Sequence, residues 1–150
     1  MQETLESLYG LEKHEVQLKR VQTKSGKWLE VFPNPKLPKK IFAEKEVSWE
    51  GYRVEIIFPE FACLCPRTTQ PDFATITIEY VPKEQCVELK ALKYYLNSFR
   101  DEGHFHEEVT NLIFDDLQGV LVPINLYVEG KFNVRGGTLP VIKVGKRYDT

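Results

Sequence analysis

The chain has 150 residues, of which 42% are hydrophobic and 28% are charged, and its net charge at pH 7 is -2. This length fits one globular domain with one core, and the near-neutral charge gives no reason to expect nucleic acid or an anionic membrane as a partner. No apolar run approaches the roughly 18 residues of a membrane span and no secretory signal is visible, so we expect a cytoplasmic protein.

Residues 1–45 show few long apolar periods and include the proline- and lysine-rich stretch 32–40, FPNPKLPKK. Proline donates no amide hydrogen and holds the residue before it in extended backbone. We therefore predict that residues 1–45 form an N-terminal arm that wraps around the domain.

Two stretches with alternating side chains follow this arm. Residues 52–58 predict a half-buried strand that ends at Pro59, and residues 74–80 predict a second strand that stops near Pro82. The stretch 61–73 between them, FACLCPRTTQPDF, has the composition of a turn.

The apolar period then changes to three and four residues, which predicts two amphipathic helices. The first runs from Glu88 towards Gly103, and the second begins near His106 and ends at Gly119. Their inward stripes are predicted to be Leu89, Leu92, Leu96 and Phe99, and Val109, Leu112, Ile113 and Leu117.

Alternation returns in residues 124–129, after which Gly130 is predicted to turn the chain into a short last strand, residues 131–137. The order ββααββ predicts an α+β fold, an antiparallel four-stranded sheet with two helices on one face. Such a sheet has two open edges. Joining the sheets of several subunits into a closed barrel would pair those edges, so we predict a homo-oligomer.

The three cysteines, Cys63, Cys65 and Cys86, are an odd number, which favours free thiols. Cys65 precedes a proline, which favours extended backbone at the rim of a turn. A thiol with a pKa near 8.5 needs a nearby cation or hydrogen-bond donor to react at neutral pH, and Arg67 is close in sequence. Burial of Cys65 as a small hydrophobic residue is the alternative.

Asp72 lies seven residues after Cys65. A loop that brings the two together would place a proton donor and acceptor beside a nucleophile. Capping of a turn is the alternative role for this aspartate.

Charged residues on the helices leave several roles open. Lys90 and Lys93 lie away from the apolar stripe of the first helix, where they form either a solvated face or contacts to a phosphate-bearing ligand. The sequence has no GxGxxG signature, so a Rossmann-type cofactor site is not predicted.

Two histidines, His104 and His106, and the adjacent Glu107 cluster where the helices meet. Metal ligation, acid and base chemistry, recognition of a guanine-like edge, and compensation of a helix dipole all remain open for them. A zinc site built from both histidines with Cys63 and Cys65 lacks the usual finger spacing, so we expect no metal.

Three ordered segments resemble the QueF family of nitrile reductases in its short-chain form. These segments are PEFACLCPRTTQPDFATITIEYVP (59–82), VELKALKYYLNSFR (87–100) and HFHEEVTNLIFDDL (104–117), and the resemblance spans roughly residues 58–137.

The resemblance implies that Cys65 attacks the nitrile carbon of 7-cyano-7-deazaguanine and forms a covalent thioimide, with Asp72 as the proton donor. Two NADPH molecules would then reduce the nitrile to the aminomethyl compound, a four-electron step in the synthesis of queuosine for tRNA modification. The substrate contacts that the resemblance implies are His106, Glu107, Val87, Glu88 and Leu89.

The stretch ELKALKYY, residues 88–95, resembles the family's NADPH motif, which implies that Lys90 and Lys93 contact cofactor phosphates, with Arg135 as a further candidate. The resemblance also implies a single domain, residues 1–150, with the tunnelling fold (T-fold). Family members assemble as paired rings, often a decamer, with sites between subunits.

Two other functions fit the same resemblance. One is a QueF-like amidinotransferase that acts on the nitrile carried by tRNA, against which the intact 88–95 stretch argues. The other is a non-catalytic purine- or pterin-binding module, which needs no reactive thiol. Cys63 and Cys86 have no implied role, and we predict that they are packing residues.

Overall fold

The computed structural model of the chain describes residues 17–147. The first part of the predicted arm, residues 1–16, lies outside this range. The strands are β1 Lys19–Gln22, β2 Trp28–Pro33, β3 Lys39–Ala43, β4 Glu46–Glu50, β5 Val54–Leu64, β6 Pro71–Val81, β7 Gln85–Val87, β8 Asn125–Phe132 and β9 Val141–Gly145, and the helices are α1 Leu89–Asn97 and α2 His106–Leu121.

The largest sheet is antiparallel and has the strand order β5-β6-β8-β9. Every second residue of β6, from Ala74 to Tyr80, is buried in one core with apolar side chains of both helices. A period of two along β6 and a period of three to four along the helices therefore produce complementary apolar surfaces. The predicted α+β class, with an antiparallel sheet and two helices, is confirmed. No helix within residues 17–147 is both long and apolar enough to cross a membrane.

The strand bounds differ from the prediction at two places. β5 does not end at Pro59. Its pairing with β6 shifts register between Phe58 and Phe61, which accommodates the proline, and the strand continues to Leu64. Gly130 does not turn the chain but lies inside β8, and the last strand is β9 rather than residues 131–137. A Cβ at Gly130 would lie 2.6 Å from the hydroxyl oxygen of Thr110, so the glycine permits close approach of α2 to the sheet.

The helix ends also differ. α1 ends at Asn97 rather than near Gly103, and Leu89 at its start is 60% exposed instead of lying in the apolar stripe. α2 continues through Gly119 to Leu121. One glycine costs a helix about 1 kcal/mol, which burial of the flanking Val120 and Leu121 offsets.

Residues 19–33 are part of the body of the protein, which corrects the prediction of a simple arm. β2 lies between β1 and β7 in a three-stranded sheet, and its Leu29 and Val31 are buried in the core. β2 has the alternating pattern of a half-buried strand, but the pattern is short and is followed by prolines, so it was not recognised as a strand from the sequence. The hairpin of β3 and β4 stands away from the core, and nearly all its residues are exposed.

A buried carboxylate ties the turn between β1 and β2 to the helices. Asp116 on α2 is 1% exposed and accepts hydrogen bonds from the backbone N of Ser25 (2.9 Å), the hydroxyl of Ser25 (2.6 Å) and the hydroxyl of Tyr95 (2.7 Å). Burial raises the pKa of Tyr95, so its hydroxyl remains a donor. Asp116 thus joins the β1–β2 hairpin, α1 and α2 at one point.

Candidate active site

Cys65 lies at the tip of the β5–β6 hairpin. Its backbone N donates to the carbonyl of Gln70 (2.8 Å), and its carbonyl accepts from the backbone N of Thr69 (2.8 Å). Thr69 has a φ of 58°, in the left-handed region that a β-branched residue seldom adopts. Cys65 therefore lies at the rim of a closed turn, the position that the following proline predicted, and the residue is half-buried.

Hydrogen bonds from the turn stabilise the thiolate of Cys65. The hydroxyl and backbone N–H of Thr68 and the backbone N–H of Arg67 lower the pKa of this thiol, and they outweigh partial desolvation and the negative charge of Asp72. Arg67, which the sequence placed close to Cys65 as a source of a cation or a hydrogen-bond donor, lowers the pKa of the thiol through its backbone N–H. The role of Thr68 was not predicted from the sequence, although the polar residues 68–70 of the turn include hydroxyl groups that can donate to a thiolate.

The other two cysteines have the opposite environment. Burial, reinforced by the charge of Asp72, raises the pKa of Cys63 to about 11, and its thiol lies 3.9 Å from the carbonyl oxygen of His104. Cys86 is buried, with its sulfur 3.3 Å from the hydroxyl of Tyr52. Both side chains are buried, as predicted for packing residues.

The hairpin register brings Asp72 to the same face as the thiol of Cys63. Asp72 pairs with Cys63 across β5 and β6, and residues directly opposite in antiparallel strands point to the same side. Cys65 lies two residues beyond Cys63, in the turn that follows β5, and the negative charge of Asp72 acts on its thiol. The carboxylate of Asp72 is buried, accepts a hydrogen bond from Nη1 of Arg135, and lies 3.2 Å from Nε2 of His106.

His106 is held by the start of α2 and by an aromatic stack. Its ring lies parallel to that of Phe132, with 3.8 Å between ring centroids and 9° between planes. The loop before α2 is fixed to the end of β5, because the backbone N of Leu64 donates to the carbonyl of Glu102 (2.9 Å) and that of His104 donates to the carbonyl of Leu64 (3.0 Å).

A cavity of about 290 Å³ opens beside Asp72 and His106, and its wall also includes Phe73, Phe132, Val134 and Arg135.

His104 does not enter this cavity but binds two carboxylates. Its Nδ1 lies 2.6 Å from Glu108 and its Nε2 lies 2.9 Å from Glu102, which also pairs with Lys27 at 2.5 Å. Burial raises the pKa of Glu102, but hydrogen bonds from His104 and Lys27 outweigh it and leave the pKa lowered. Within residues 17–147, no group of three or more histidines, cysteines or acidic residues is arranged to hold a metal ion.

The remaining predicted substrate residues are not gathered around Cys65. Glu107 is exposed and lines a more open cavity of about 560 Å³ with Glu108 and Asp115. Glu88 caps α1, since its carboxylate accepts from the backbone N of Lys90 (3.0 Å) and of Ala91 (2.7 Å).

The Val87–Leu89 segment lies near one end of β6, whereas Asp72 lies near the other. The backbone N of Val87 donates to the hydroxyl of Tyr80 (3.1 Å), which is eight residues from Asp72 along β6. Eight residues of strand span roughly 26 Å. Lys90 and Lys93 follow on the exposed surface of α1. One chain therefore gathers Asp72, His106 and Arg135 at one cavity, with Cys65 within reach of the charge of Asp72, but it does not join them to the segment beginning at Val87.

Selective alkylation tests the contrast between the thiols. We expect iodoacetamide to modify Cys65 first, at a pH below that at which an ordinary thiol reacts, because hydrogen bonds lower its pKa. Cys63 and Cys86 should react only on unfolding, because both are buried. Peptide mapping by mass spectrometry over a series of pH values measures this order. Equal labelling of Cys63 and Cys65 in the folded protein would contradict it.

A thiol with a lowered pKa near a buried carboxylate and a histidine, on an α+β scaffold with a cavity beside that carboxylate, has the features of an enzyme active site. A family profile described as "QueF-like protein" matches residues 71–149. The chain is 49% identical to the NADPH-dependent 7-cyano-7-deazaguanine reductase of Thiobacillus denitrificans, over 83% of this chain and 81% of that protein. It is 52% identical to the reductase of the same name from Thermomicrobium roseum, over 85% of this chain and 89% of that protein. The chain belongs to the QueF family.

A solved structure supports the fold. The archaeosine synthase QueF-Like in its apo form has a TM-score of 0.56 and 18% sequence identity, over 63% of this chain and 90% of that chain. At this identity the likeness shows a shared fold.

Proposed function

We propose that this protein is an NADPH-dependent 7-cyano-7-deazaguanine reductase, which converts the nitrile to the aminomethyl compound for queuosine synthesis. The observation that carries the proposal is the half-buried Cys65 thiol with a lowered pKa beside Asp72. It occurs in a chain about half identical to reductases of that name. The cytoplasm is the compartment we propose, because a free reactive thiol stays reduced there.

Cys65 is the nucleophile in this proposal. Its thiolate attacks the nitrile carbon, a carbon–sulfur bond forms, and one π pair of the nitrile moves to nitrogen. Asp72, whose charge acts on the Cys65 thiol, takes the thiol proton as the thiolate forms and delivers it to that nitrogen, so a neutral thioimide results. The residue therefore begins and ends the step as a carboxylate.

Two NADPH molecules would each supply one hydride when bound, one for each two-electron reduction. Lys90 and Lys93 suit the NADPH phosphates, since both are exposed and lie three residues apart on α1, so they share one side of the helix. Arg135 is the third candidate from the sequence, and its side chain is 46% exposed at the edge of the Asp72 cavity. These cations suit the binding of cofactor phosphates in a protein that has no glycine-rich phosphate-binding loop.

His106 and Glu107 recognise the substrate in this proposal. His106 lines the cavity beside Asp72, and its stack on Phe132 fixes the ring plane. The carboxylate of Glu107 can accept two hydrogen bonds from the ring N–H and exocyclic amine of a deazaguanine. Further contacts come from Val87, Glu88 and Leu89.

We also propose that residues 1–150 form one T-fold domain that assembles into paired rings, possibly a decamer, whose sheets close a barrel. In residues 17–147, β5 and β9 are the edge strands of the large sheet, with backbone groups available to neighbouring sheets. Assembly would also bring the Val87–Leu89 segment of one subunit to the Cys65 turn of another. The separation of these two groups within one chain supports sites at subunit boundaries.

Stoichiometry of NADPH consumption tests the function. Purified protein with 7-cyano-7-deazaguanine should oxidise two NADPH for each aminomethyl product, measured by absorbance and by mass spectrometry of the base. Binding of the nitrile without NADPH oxidation would indicate a binding module and contradict the proposal. Formation of an amidine on nitrile-bearing tRNA, without NADPH use, would contradict it in favour of an amidinotransferase.

A further inference from the structure

Arg135 sits in a short closed loop after β8. Its backbone N donates to the carbonyl of Thr138 (2.9 Å), and the backbone N of Thr138 donates back to Arg135 (3.1 Å). Gly136 and Gly137 between them have φ values of 58° and 80°, which glycine adopts without strain. The loop thus has a defined conformation from which the arginine reaches the β5–β6 hairpin.

The guanidinium of Arg135 joins two parts of the proposed catalytic machinery. Nη1 donates to the carboxylate of Asp72, and Nη2 donates to the side-chain oxygen of Gln70 at 2.6 Å. The backbone carbonyl of Gln70 in turn accepts from the backbone N of Cys65 at 2.8 Å. One side chain therefore spans the proton donor and the residue that closes the nucleophile's turn.

Arginine is the residue type that this arrangement requires. Its planar guanidinium presents two donors at a fixed separation and orientation, whereas lysine offers a single flexible point charge. Asp72 is buried and negatively charged. Without Arg135, His106 would be the only side chain among the described residues at hydrogen-bond distance from its carboxylate. The arginine both orients this carboxylate and balances its charge.

We propose that Arg135 is a positioning residue that fixes Asp72 and the turn of Cys65 in their working geometry, before any cofactor binds. This inference rests on the proposed function and gives Arg135 a task beyond phosphate contact. Arg135 also couples the loop after β8 to the β5–β6 hairpin, because its partner Asp72 lies 63 residues earlier in the chain.

The charge of Arg135 has a consequence for the thiol. The negative charge of Asp72 raises the pKa of Cys65, and a guanidinium on Asp72 offsets part of that effect. Loss of the arginine should therefore move thiolate formation at Cys65 to higher pH. A residue that only contacts a cofactor phosphate would leave the titration of the thiol without cofactor unchanged.

The test measures adduct formation in the absence of NADPH. Wild type, Arg135→Gln, Arg135→Lys and Gln70→Ala are each mixed with the nitrile, and the covalent adduct is followed by intact-protein mass spectrometry. We expect Arg135→Gln to slow adduct formation about 10-fold or more, since misplacement by about 1 Å can cost up to 100-fold. Arg135→Lys and Gln70→Ala should fall between it and wild type. The control Arg20→Gln removes an exposed guanidinium on β1 and should react as wild type does.

A second readout separates this proposal from the proposed function. Iodoacetamide alkylation of Cys65 needs no nitrile, and its pH profile should move to higher pH in Arg135→Gln. Unchanged adduct rate and unchanged alkylation profile, with weakened NADPH binding alone, would overturn the positioning role. If wild type forms no nitrile adduct, the proposed function fails, while the alkylation profile still decides the role of Arg135. Thermal unfolding of each variant shows whether it is folded.

Discussion

Cys65→Ala is expected to abolish the covalent nitrile adduct and to lower turnover by about 10⁴-fold or more, the scale seen when a catalytic nucleophile is removed. Cys63→Ala is the matched control, since it deletes a free thiol only two residues away in the sequence. Its thiol is buried and its pKa is raised to about 11, so it contributes no thiolate at neutral pH.

Intact-protein mass after incubation with the nitrile measures this difference, and NADPH oxidation measures turnover. Cys63→Ala should retain the adduct and most of the activity, with a loss of unfolding free energy of about 1 kcal/mol from the small cavity. An adduct that persists in Cys65→Ala, or one that disappears only in Cys63→Ala, would overturn the assignment of the nucleophile.

Asp116→Ala is expected to lower the unfolding free energy by about 3 kcal/mol. The substitution leaves the Tyr95 hydroxyl without its acceptor inside the core and frees the Ser25 turn. Because Asp116 joins two helices to the β1–β2 hairpin, the loss should loosen all three elements.

Urea unfolding at a fixed protein concentration measures the effect, since assembly would make stability depend on concentration. The neighbouring Asp115 is exposed, so Asp115→Ala should change the unfolding free energy by less than about 0.5 kcal/mol. Tyr95→Phe removes one of the three donors and should cost about 1 kcal/mol. Equal stability of the Asp115 and Asp116 variants would show that the buried carboxylate is not a tie between these elements.

The secondary structure was predictable where side-chain periodicity is long. β6 and both helices have long apolar stripes, and the structure confirms them except at Leu89, which is exposed. The errors occur where a local signal was outweighed by tertiary contacts. A register shift accommodates Pro59 within β5, and Gly130 allows α2 to pack close to the sheet instead of forming a turn. Neither compensation is visible in the local sequence.

The site was predictable in its residue types but not in its contacts. Cys65 and Asp72 were recognised from one contiguous segment that resembles a known family. The contacts of Asp72 to His106 and Arg135 join residues 34 and 63 positions apart, and only the folded chain brings these together. Thr68 and Gln70 looked like ordinary turn residues, because their effect on Cys65 depends on the direction of individual hydrogen bonds.

The irregularity at Pro59 has a consequence for how copies of this protein can associate. In the described part of the chain, β5 is an edge strand, and its pairing with β6 is interrupted between Phe58 and Phe61. A proline and a bulge prevent another strand from adding along the whole edge without a break. The edge can therefore accept a short, specific neighbour while resisting open-ended growth into fibrils. A chain that depends on edge pairing for assembly would in this way be protected against aggregation through the same strand.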